Sequence, residues 1–128
     1  MEQLSITPTN NSLEVSLNAR TGKLLFSGRS YPENSIGFFK PIMAWMEEYA
    51  LNPNAKTECI CKLEYVNSAS RKCFVDMFAI LESMYKNEKD VTVIWYADPT
   101  DDAMNEMGEE YTSMFKMKFV FENMESPS

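Results

Sequence analysis

Along this chain of 128 residues, segments with apolar residues at every second position alternate with segments in which they recur every three or four positions. This alternation limits the folds that the chain can adopt. Apolar residues at every second position predict half-buried strands, and apolar residues three or four apart predict amphipathic helices. The patterns follow one another in the order β-β-α-β-α-β-α-β. The predicted strands cover residues 12–17, 23–29, 58–66, 91–96 and 117–121, and the predicted helices cover residues 35–51, 71–86 and 103–114.

This order of elements predicts a single α/β domain spanning residues 1–128. Strand–helix–strand units in series imply parallel neighbouring strands joined by right-handed crossovers. Turn residues at Asn18–Gly22 predict an antiparallel hairpin. The expected fold is therefore a mixed β-sheet packed with helices. Residues 1–11 and 123–128 are expected to form short polar arms, and the apolar run Val91–Tyr96 predicts a central strand covered on both faces.

Two residues of the first predicted helix leave alternatives open. Pro41 lies inside the helical pattern, so either the helix bends there or its first turn begins after the predicted cap, Asn34 or Ser35. Trp45 lies beside the apolar stripe, a position that suits either the core or an interface.

Strand alternation predicts which other side chains face the core. Cys59 and Cys61 lie two residues apart on a predicted strand, and therefore share one face with Leu63 and Tyr65. In the last strand, the residues expected to face inward are Met117, Phe119 and Phe121.

Composition argues against several classes of function. The net charge of −7 argues against nucleic acid and against an anionic membrane surface, because both attract clustered Lys and Arg. No apolar run suits a membrane span or a signal peptide. The absence of His removes the usual Ser-His-Asp and Cys-His nucleophiles and most metal sites. Three Cys, an odd number, indicate reduced thiols and predict a cytoplasmic protein. With no His and no recognised catalytic motif, the chain is expected to have no cofactor, metal or enzymatic activity.

The segment Tyr65–Asp76, with the sequence YVNSASRKCFVD, places two hydroxyls where a predicted strand ends and a helix begins. The first turn of a helix carries unpaired N–H groups and a partial positive charge, and therefore accommodates an anion. A phosphate on Ser68 or Ser70 would gain these groups and lie within reach of Arg71 or Lys72. Spacing alone favours the alternative, in which one of the serines is only a helix cap.

Two further segments are weaker candidates. The sequence YPENS, at Tyr31–Ser35, is either a turn with a helix cap or a recognition loop in which Pro32 presents Tyr31 and Glu33. A run of carboxylates late in the chain has three interpretations: a solvated helix face, a partner-facing surface or a cation site. The solvated helix face is favoured, because the residues do not match the calcium-loop pattern. These carboxylates are Asp98, Asp101, Asp102, Glu106, Glu109 and Glu110.

Considered together, SYPENS between a hairpin and a helix, and YVNSASRK at a later strand–helix junction, resemble the SiaC family. Its members are bacterial regulatory phosphoproteins with a fold similar to that of anti-sigma-factor antagonists, the STAS-like fold. The resemblance covers nearly the whole chain. The sequence departs from the family pattern at three positions. Ser68 lies where the best-known pattern has Thr, Ala69 lies where Ser is common, and Pro41 is unexpected in the first helix.

The resemblance implies a partner-switching module. In such systems a serine/threonine kinase of the anti-sigma-factor type phosphorylates the hydroxyl residue after the Asn, and a PP2C-type phosphatase removes the phosphate. The unmodified form binds and activates an effector, such as a diguanylate cyclase. In this sequence the implied phosphoacceptor is Ser68, flanked by Asn67, Ser70, Arg71 and Lys72. The residues expected to lie near the switch or to bind partners are Tyr31, Pro32, Glu33 and Asn34.

Two other functions are weighed against this one. A small-molecule-binding sensory domain would have a deep apolar pocket lined by Met and aromatic residues instead of a filled core. An enzyme based on carboxylates would use Asp98, Asp101 or Glu33, and would bring these acids together in a cleft.

Overall fold

The chain forms one six-stranded sheet and three helices. The structure is a computed structural model, and it describes residues 1–124. Alternating apolar residues build the strands, and apolar residues three or four apart build the buried stripes of the helices. In chain order the elements are β1 (Leu4–Ile6), β2 (Glu14–Asn18), β3 (Lys23–Ser30), α1 (Ser35–Leu51), β4 (Lys56–Val66), α2 (Ser68–Lys86), β5 (Asp90–Ala97), α3 (Asp102–Met114) and β6 (Lys118–Asn123).

The sheet is mixed, as the sequence predicts. Its strands lie in the order β1-β2-β3-β4-β5-β6. The first three strands are antiparallel neighbours, and each later strand is parallel to the one before it. Strands β2 and β3 form the predicted hairpin. The predicted α/β fold class is confirmed, and the observed order contains one strand more than the predicted order.

The additional strand, β1, lies within the predicted N-terminal arm. The prediction that residues 1–11 form an arm is wrong over Leu4–Ile6, which pairs with β2, because three residues carry too little alternation to indicate a strand. The indole Nε1 of Trp45 donates a hydrogen bond to the backbone oxygen of Glu2 at 2.9 Å. Trp45 is buried and stacks on Tyr49, which places it in the core rather than in an interface.

The C-terminal strand, β6, lies at an edge of the sheet. Met117, just before the strand, is buried and Phe119 is partly buried. Phe121 pairs with Trp95 on the covered face and its ring lies beside Gly108 of α3, so it faces inward as predicted. It is nevertheless 45% exposed, because an edge strand has a neighbour on one side only. Asn123 is the last residue of β6 and not the start of an arm, and residues 125–128 of the predicted arm lie outside the described residues.

All three helices cover the same face of the sheet. Strands β3 to β6 are parallel and follow one another in order, so right-handed crossovers place α1, α2 and α3 on one side. Along β5, Val93 and Trp95 on the covered face are buried, whereas Ile94 and Tyr96 on the opposite face are only partly buried. The prediction that this strand is covered on both faces is therefore wrong.

The core lies between the helices and the covered face of the sheet. The ring of Phe74 in α2 meets Phe26 of β3 and Phe39 of α1 edge-on, at centroid distances of 5.6 and 5.3 Å. Cys59 and Cys61 share this buried face, as predicted, and their Sγ atoms lie 3.9 Å apart. Burial raises the pKa of the Cys61 thiol, which keeps it protonated in the apolar core.

Helix α1 contains Pro41 in its interior. The helix begins at Ser35, so the alternative that its first turn starts after the predicted caps is wrong. Proline has no backbone N–H, and the carbonyl of Gly37 therefore lacks the usual helical donor four residues later. Neither this helix nor any other within residues 1–124 is long and apolar enough to span a membrane.

Candidate functional site

The candidate site lies at the edge of the sheet where the parallel strands β3, β4 and β5 end. The chain leaves each strand at its carboxyl end and enters a helix, so three helix N-termini meet at this edge. The connecting segments are residues 31–34, residue 67 and residues 98–101. The topology therefore brings together two motifs that are separated in the sequence, Tyr31–Asn34 and Asn67–Lys72.

Asn67 caps helix α2. Its side-chain Oδ1 accepts a hydrogen bond from the backbone N–H of Ser70 at 2.8 Å, and its own backbone N–H donates to the carbonyl of Ser30 at 2.8 Å. Ser68 is the first residue of the helix. The alternative that Ser68 or Ser70 is the helix cap is therefore wrong, because the preceding asparagine, a strong N-cap residue, occupies that position.

Ser68 and Ser70 lie in opposite environments. Ser68 is exposed at the start of α2, whereas the side chain of Ser70 is fully buried. The Ser70 Oγ accepts a hydrogen bond from the Ser30 hydroxyl at 2.7 Å and lies 3.0 Å from the Ser35 hydroxyl. Because Ser30 and Ser35 are also buried, the three hydroxyls form a buried cluster beneath the site. Of the two serines in the predicted switch, only Ser68 presents its side chain to solvent.

The start of α1 is joined to the same cluster. Asn34 caps this helix by accepting a hydrogen bond from the backbone N–H of Gly37 at 2.9 Å. A Cβ atom at Gly37 would come within 2.6 Å of the Asn34 side chain, so a larger residue there would require that side chain to shift. The hydroxyl of Ser35 donates to Oδ1 of Asn67 at 3.4 Å. This contact links the first residue of α1 to the cap of α2.

The loop Tyr31–Asn34 is held at both ends. The backbone N–H of Tyr31 donates to the carbonyl of Asn11 at 2.8 Å, and Asn34 caps α1 at the other end. Between them Pro32 is partly buried and Glu33 is exposed. The fixed φ of proline further limits the loop. The loop thus presents polar and aromatic side chains to solvent from an anchored backbone.

Tyr31 and Tyr65 form an exposed aromatic pair at this edge. Their ring centroids lie 5.7 Å apart with the planes at 77°, and the residues are 40% and 53% exposed. The prediction that Tyr65 faces the core is wrong. The register between β3 and β4 shifts by one residue here: Gly28 pairs with Leu63, but Arg29 pairs with Tyr65, so β4 contains one extra residue. The alternation of β4 changes face at this point, and Val66 occupies the buried position.

The cations of the predicted switch differ in their contacts. The Arg71 guanidinium Nη2 lies 2.7 Å from Oε2 of Glu110 on α3, and Lys72 is exposed. The Arg71 backbone carbonyl accepts a hydrogen bond from the Tyr111 hydroxyl at 2.9 Å. Burial raises the pKa of Tyr111, so this hydroxyl stays protonated and remains a donor.

A groove of about 260 Å³ lies between the starts of α2 and α3. Ser68 and Arg71 line one side, and Met107 lines the other. The carboxylates of the loop have structural partners: Asp101 caps α3, and Asp98 accepts hydrogen bonds from Thr100. Within residues 1–124, no group of three or more Cys, Asp or Glu side chains is placed to hold a metal ion.

A larger groove, of about 630 Å³, runs between α1 and α2 on the outside of the protein. It is lined in part by Met43 and Cys73, and the exposed residues Ile36, Lys40 and Asp76 also border it. This is a surface groove and differs from the deep apolar pocket that a small-molecule sensor would require.

Sequence reasoning did not identify several residues that build this edge. The pattern assigned Tyr65 to the core face, although it lies only two residues before the Asn-Ser motif. Ser35 lies in the predicted loop segment, but its hydrogen bonds and those of Ser30 depend on the meeting of three elements. The partner of Arg71, Glu110, is 39 residues away in the chain, and no local pattern indicates their contact.

The fold and the geometry of this edge define a mixed α/β protein with an exposed hydroxyl at a strand–helix junction. Residues 6–124 match the family model described as SiaC family regulatory phosphoprotein. The chain belongs to the SiaC family, and the predicted resemblance is confirmed.

Similar proteins from Pseudomonas aeruginosa match nearly the whole chain. An uncharacterised protein of strain UCBPP-PA14 is 26% identical over 122 residues, which span 95% of this chain and 97% of the relative. The crystal structure of apo-SiaC is 27% identical with a TM-score of 0.89, covering 95% of this chain and 99% of SiaC. A crystal structure of the diguanylate cyclase SiaD in complex with its activator SiaC also matches, with 26% identity and a TM-score of 0.89. The match covers 94% of this chain and 99% of the matched chain.

Proposed function

We propose that this chain is a non-enzymatic partner-switching protein controlled by reversible phosphorylation of Ser68. The unmodified form binds and activates an effector, such as a diguanylate cyclase, and the phosphorylated form binds it more weakly. A serine/threonine kinase of the anti-sigma-factor type adds the phosphate, and a PP2C-type phosphatase removes it. We place these reactions in the cytoplasm.

The observation that carries the proposal is the difference in exposure between the two hydroxyls in the first turn of α2. Ser68 is exposed, whereas Ser70 is fully buried and hydrogen bonded to Ser30. A kinase must draw the acceptor hydroxyl into its own active site, so an exposed serine suits this role and a buried serine does not. Membership of a family of regulatory phosphoproteins supports a phosphorylated residue, and the geometry supports Ser68 as its position.

A phosphate on Ser68 would change the surface that includes Tyr31 and Tyr65. The phosphate adds about −1.5 to −2 charges near neutral pH. Exposed aromatic residues are favoured in the cores of protein interfaces. A partner that covers this aromatic pair would have to bury or pair the phosphate, and burying an unpaired charge is costly. The unmodified form is therefore the one suited to an apolar partner surface.

The proposed effector is supported by a relative. The SiaC chain that is 26% identical to this protein is described as the activator of SiaD and was crystallised in complex with it. The effector-binding surface of this protein is proposed to include Tyr31, Pro32, Glu33 and Asn34, together with Tyr65. The anchored loop supports this role, since an ordered surface loses less conformational entropy on binding.

Intact-mass and site-mapping analysis of protein purified from its own cells tests the phosphoacceptor. The wild type and a matched control, Ser5→Ala, should carry one phosphate on Ser68, and Ser68→Ala should carry none. Ser5 is a suitable control because its side chain is exposed and lies on β1, away from the helix starts. The absence of phosphate in every growth condition and after co-expression with the cognate kinase would contradict the proposal, as would a phosphate on another residue.

The effector is tested with unmodified protein and with protein that carries phosphoserine at position 68. We expect a binding affinity about tenfold lower for the phosphorylated form, which corresponds to roughly 1.4 kcal/mol. Synthesis of cyclic di-GMP by the effector should fall in parallel. Equal binding of both forms would separate phosphorylation from effector control and reject the switch.

A further inference from the structure

We propose that Arg71 has two alternative partners: the Glu110 carboxylate while Ser68 is unmodified, and the phosphate once Ser68 is phosphorylated. The inference rests on the proposed function, because it needs a phosphate at position 68. It adds a consequence of the modification on α3, a helix that contains no part of the phosphorylated motif.

The positions of Ser68 and Arg71 permit the exchange. The two residues lie three apart on α2, and residues at this spacing are neighbours on one side of a helix. Both line the groove of about 260 Å³ between the starts of α2 and α3. A guanidinium on a flexible side chain can therefore turn from α3 towards a phosphate without movement of either helix.

The existing ion pair is suited to exchange. The Arg71 and Glu110 side chains are 41% and 65% exposed, and exposed ion pairs contribute little net stability. A phosphate carries close to two charges and forms stronger, often bidentate hydrogen bonds with a guanidinium. The phosphate is thus expected to compete with a single carboxylate for Arg71.

The backbone of Arg71 is held independently of its side chain. Its N–H donates to the carbonyl of Asn67 at 2.9 Å, and its carbonyl accepts the Tyr111 hydroxyl at 2.9 Å. The exchange therefore requires rotation of the side chain only, and the helix start keeps its geometry.

The other charges near the groove favour Arg71 as the phosphate partner. Glu64 and Asp101 also line the groove and would repel a phosphate. The Arg29 guanidinium Nε lies 3.1 Å from Oε2 of Glu64, so Arg29 already has a carboxylate partner. Lys72, next to Arg71 on α2, is exposed and is the remaining cation of the predicted switch.

The exchange would alter the charge of α3. Glu109 and Glu110 lie three and four residues after Glu106, which places both on the same side of the helix as Glu106. When Arg71 leaves Glu110, this row loses its cation. Phosphorylation would therefore add negative charge at Ser68 and expose an existing negative charge on the neighbouring helix, so a partner in contact with α3 would also detect the modification.

The test uses the full chain with phosphoserine incorporated at position 68 during synthesis, and measures the phosphate pKa by ³¹P NMR titration. In the wild type we expect a pKa below the usual value of about 6. Arg71→Gln should raise it by about 0.5, and Glu110→Gln should lower it by about 0.3, since exposed ion pairs produce effects of this size. Glu109→Gln removes the same charge one residue away and is the matched control; it should change the pKa by less than about 0.1. Lys72→Gln measures the contribution of the second cation.

The double variant Arg71→Gln/Glu110→Gln decides whether Glu110 acts through Arg71. If it does, removing Glu110 in the Arg71→Gln background changes the phosphate pKa no more than Glu109→Gln does. An unchanged pKa in Arg71→Gln, or equal effects of Glu110→Gln and Glu109→Gln, would overturn the inference. Because the phosphoserine is installed during synthesis, this result is independent of whether a cellular kinase modifies Ser68, and failure of the proposed function is detected separately by mass analysis.

Discussion

Helices α1 and α2 begin with the same dipeptide, Asn-Ser, and yet present opposite surfaces. In each helix the asparagine is the cap and accepts the backbone N–H three residues later, from Gly37 in α1 and from Ser70 in α2. The serine that follows is the first helical residue in both. Ser35 is only 3% exposed, whereas Ser68 is exposed.

The difference shows that a local motif and its accessibility have separate causes. Capping depends on atoms three residues apart, so the same sequence produces the same cap twice. The direction of the serine hydroxyl depends on what lies beyond the helix. Ser35 turns towards Ser70, 3.0 Å away in the buried cluster, whereas Ser68 lies beside a groove open to solvent. Only one of two identical helix starts is therefore suited to be modified.

The largest effect is expected from a carboxylate placed at the first residue of each helix. Ser35→Asp would bury a charge among hydroxyls and should lower the free energy of unfolding by about 3–5 kcal/mol, as for other uncompensated buried charges. Ser68→Asp places the charge at an exposed helix N-terminus and should stabilise the fold by about 0.3–1 kcal/mol. Equilibrium unfolding in urea at neutral pH measures both.

The pH dependence of the same two variants provides the control. Burial raises the pKa of a carboxyl introduced at position 35, so the folded state binds its proton more tightly than the unfolded state. The deficit of Ser35→Asp should therefore shrink as the pH falls below that raised pKa. If Ser35→Asp does not fold at neutral pH, Ser35→Asn gives the neutral comparison. Equal stability of Ser35→Asp and Ser68→Asp would show that Ser35 is accessible after all.

A smaller effect is expected when the hydroxyls of α2 are removed. Ser70→Ala leaves the buried Ser30 hydroxyl without its acceptor, which should cost about 1–3 kcal/mol. Ser68→Ala is the matched change two residues away on the surface and should stay within about 0.5 kcal/mol of the wild type. Thermal and urea unfolding of the pair measure the contrast, and a cost for Ser68→Ala as large as that for Ser70→Ala would contradict the assigned exposures.

The smallest difference is expected between the two caps. Asn34→Ala should cost about 1 kcal/mol, a typical value for a lost N-cap. Asn67→Ala should cost up to about 1 kcal/mol more, because its Oδ1 also accepts the Ser35 hydroxyl and that donor is buried. A double-mutant cycle between Asn67→Ala and Ser35→Ala measures the coupling. A coupling energy of zero would show that the 3.4 Å contact has no energetic role.

The regular elements of the fold were predictable, and the edges of the sheet were not. The sequence pattern predicts a helix over 103–114, and α3 covers Asp102–Met114. Strand β1 has only three residues, too few for periodicity to indicate it. The inward direction of Phe121 was predicted from alternation, but alternation reports which face of a strand a residue lies on and not whether the strand has a neighbour on both sides. Strand β5 has neighbours on both sides, and it is covered on one face only because the successive right-handed crossovers place all three helices on the same side of the sheet.

For the candidate site, the sequence by itself determined the approximate positions of the helix starts, the two serine motifs and the resemblance to the SiaC family. These follow from interactions within a few residues and from the order of the elements. Only the tertiary structure decided that Ser68 is exposed while Ser70 is buried, that Tyr65 pairs with Tyr31, and that Arg71 meets Glu110. Exposure and ion pairing depend on surfaces that are assembled from distant parts of the chain, and the parallel topology brings those parts to one edge of the sheet.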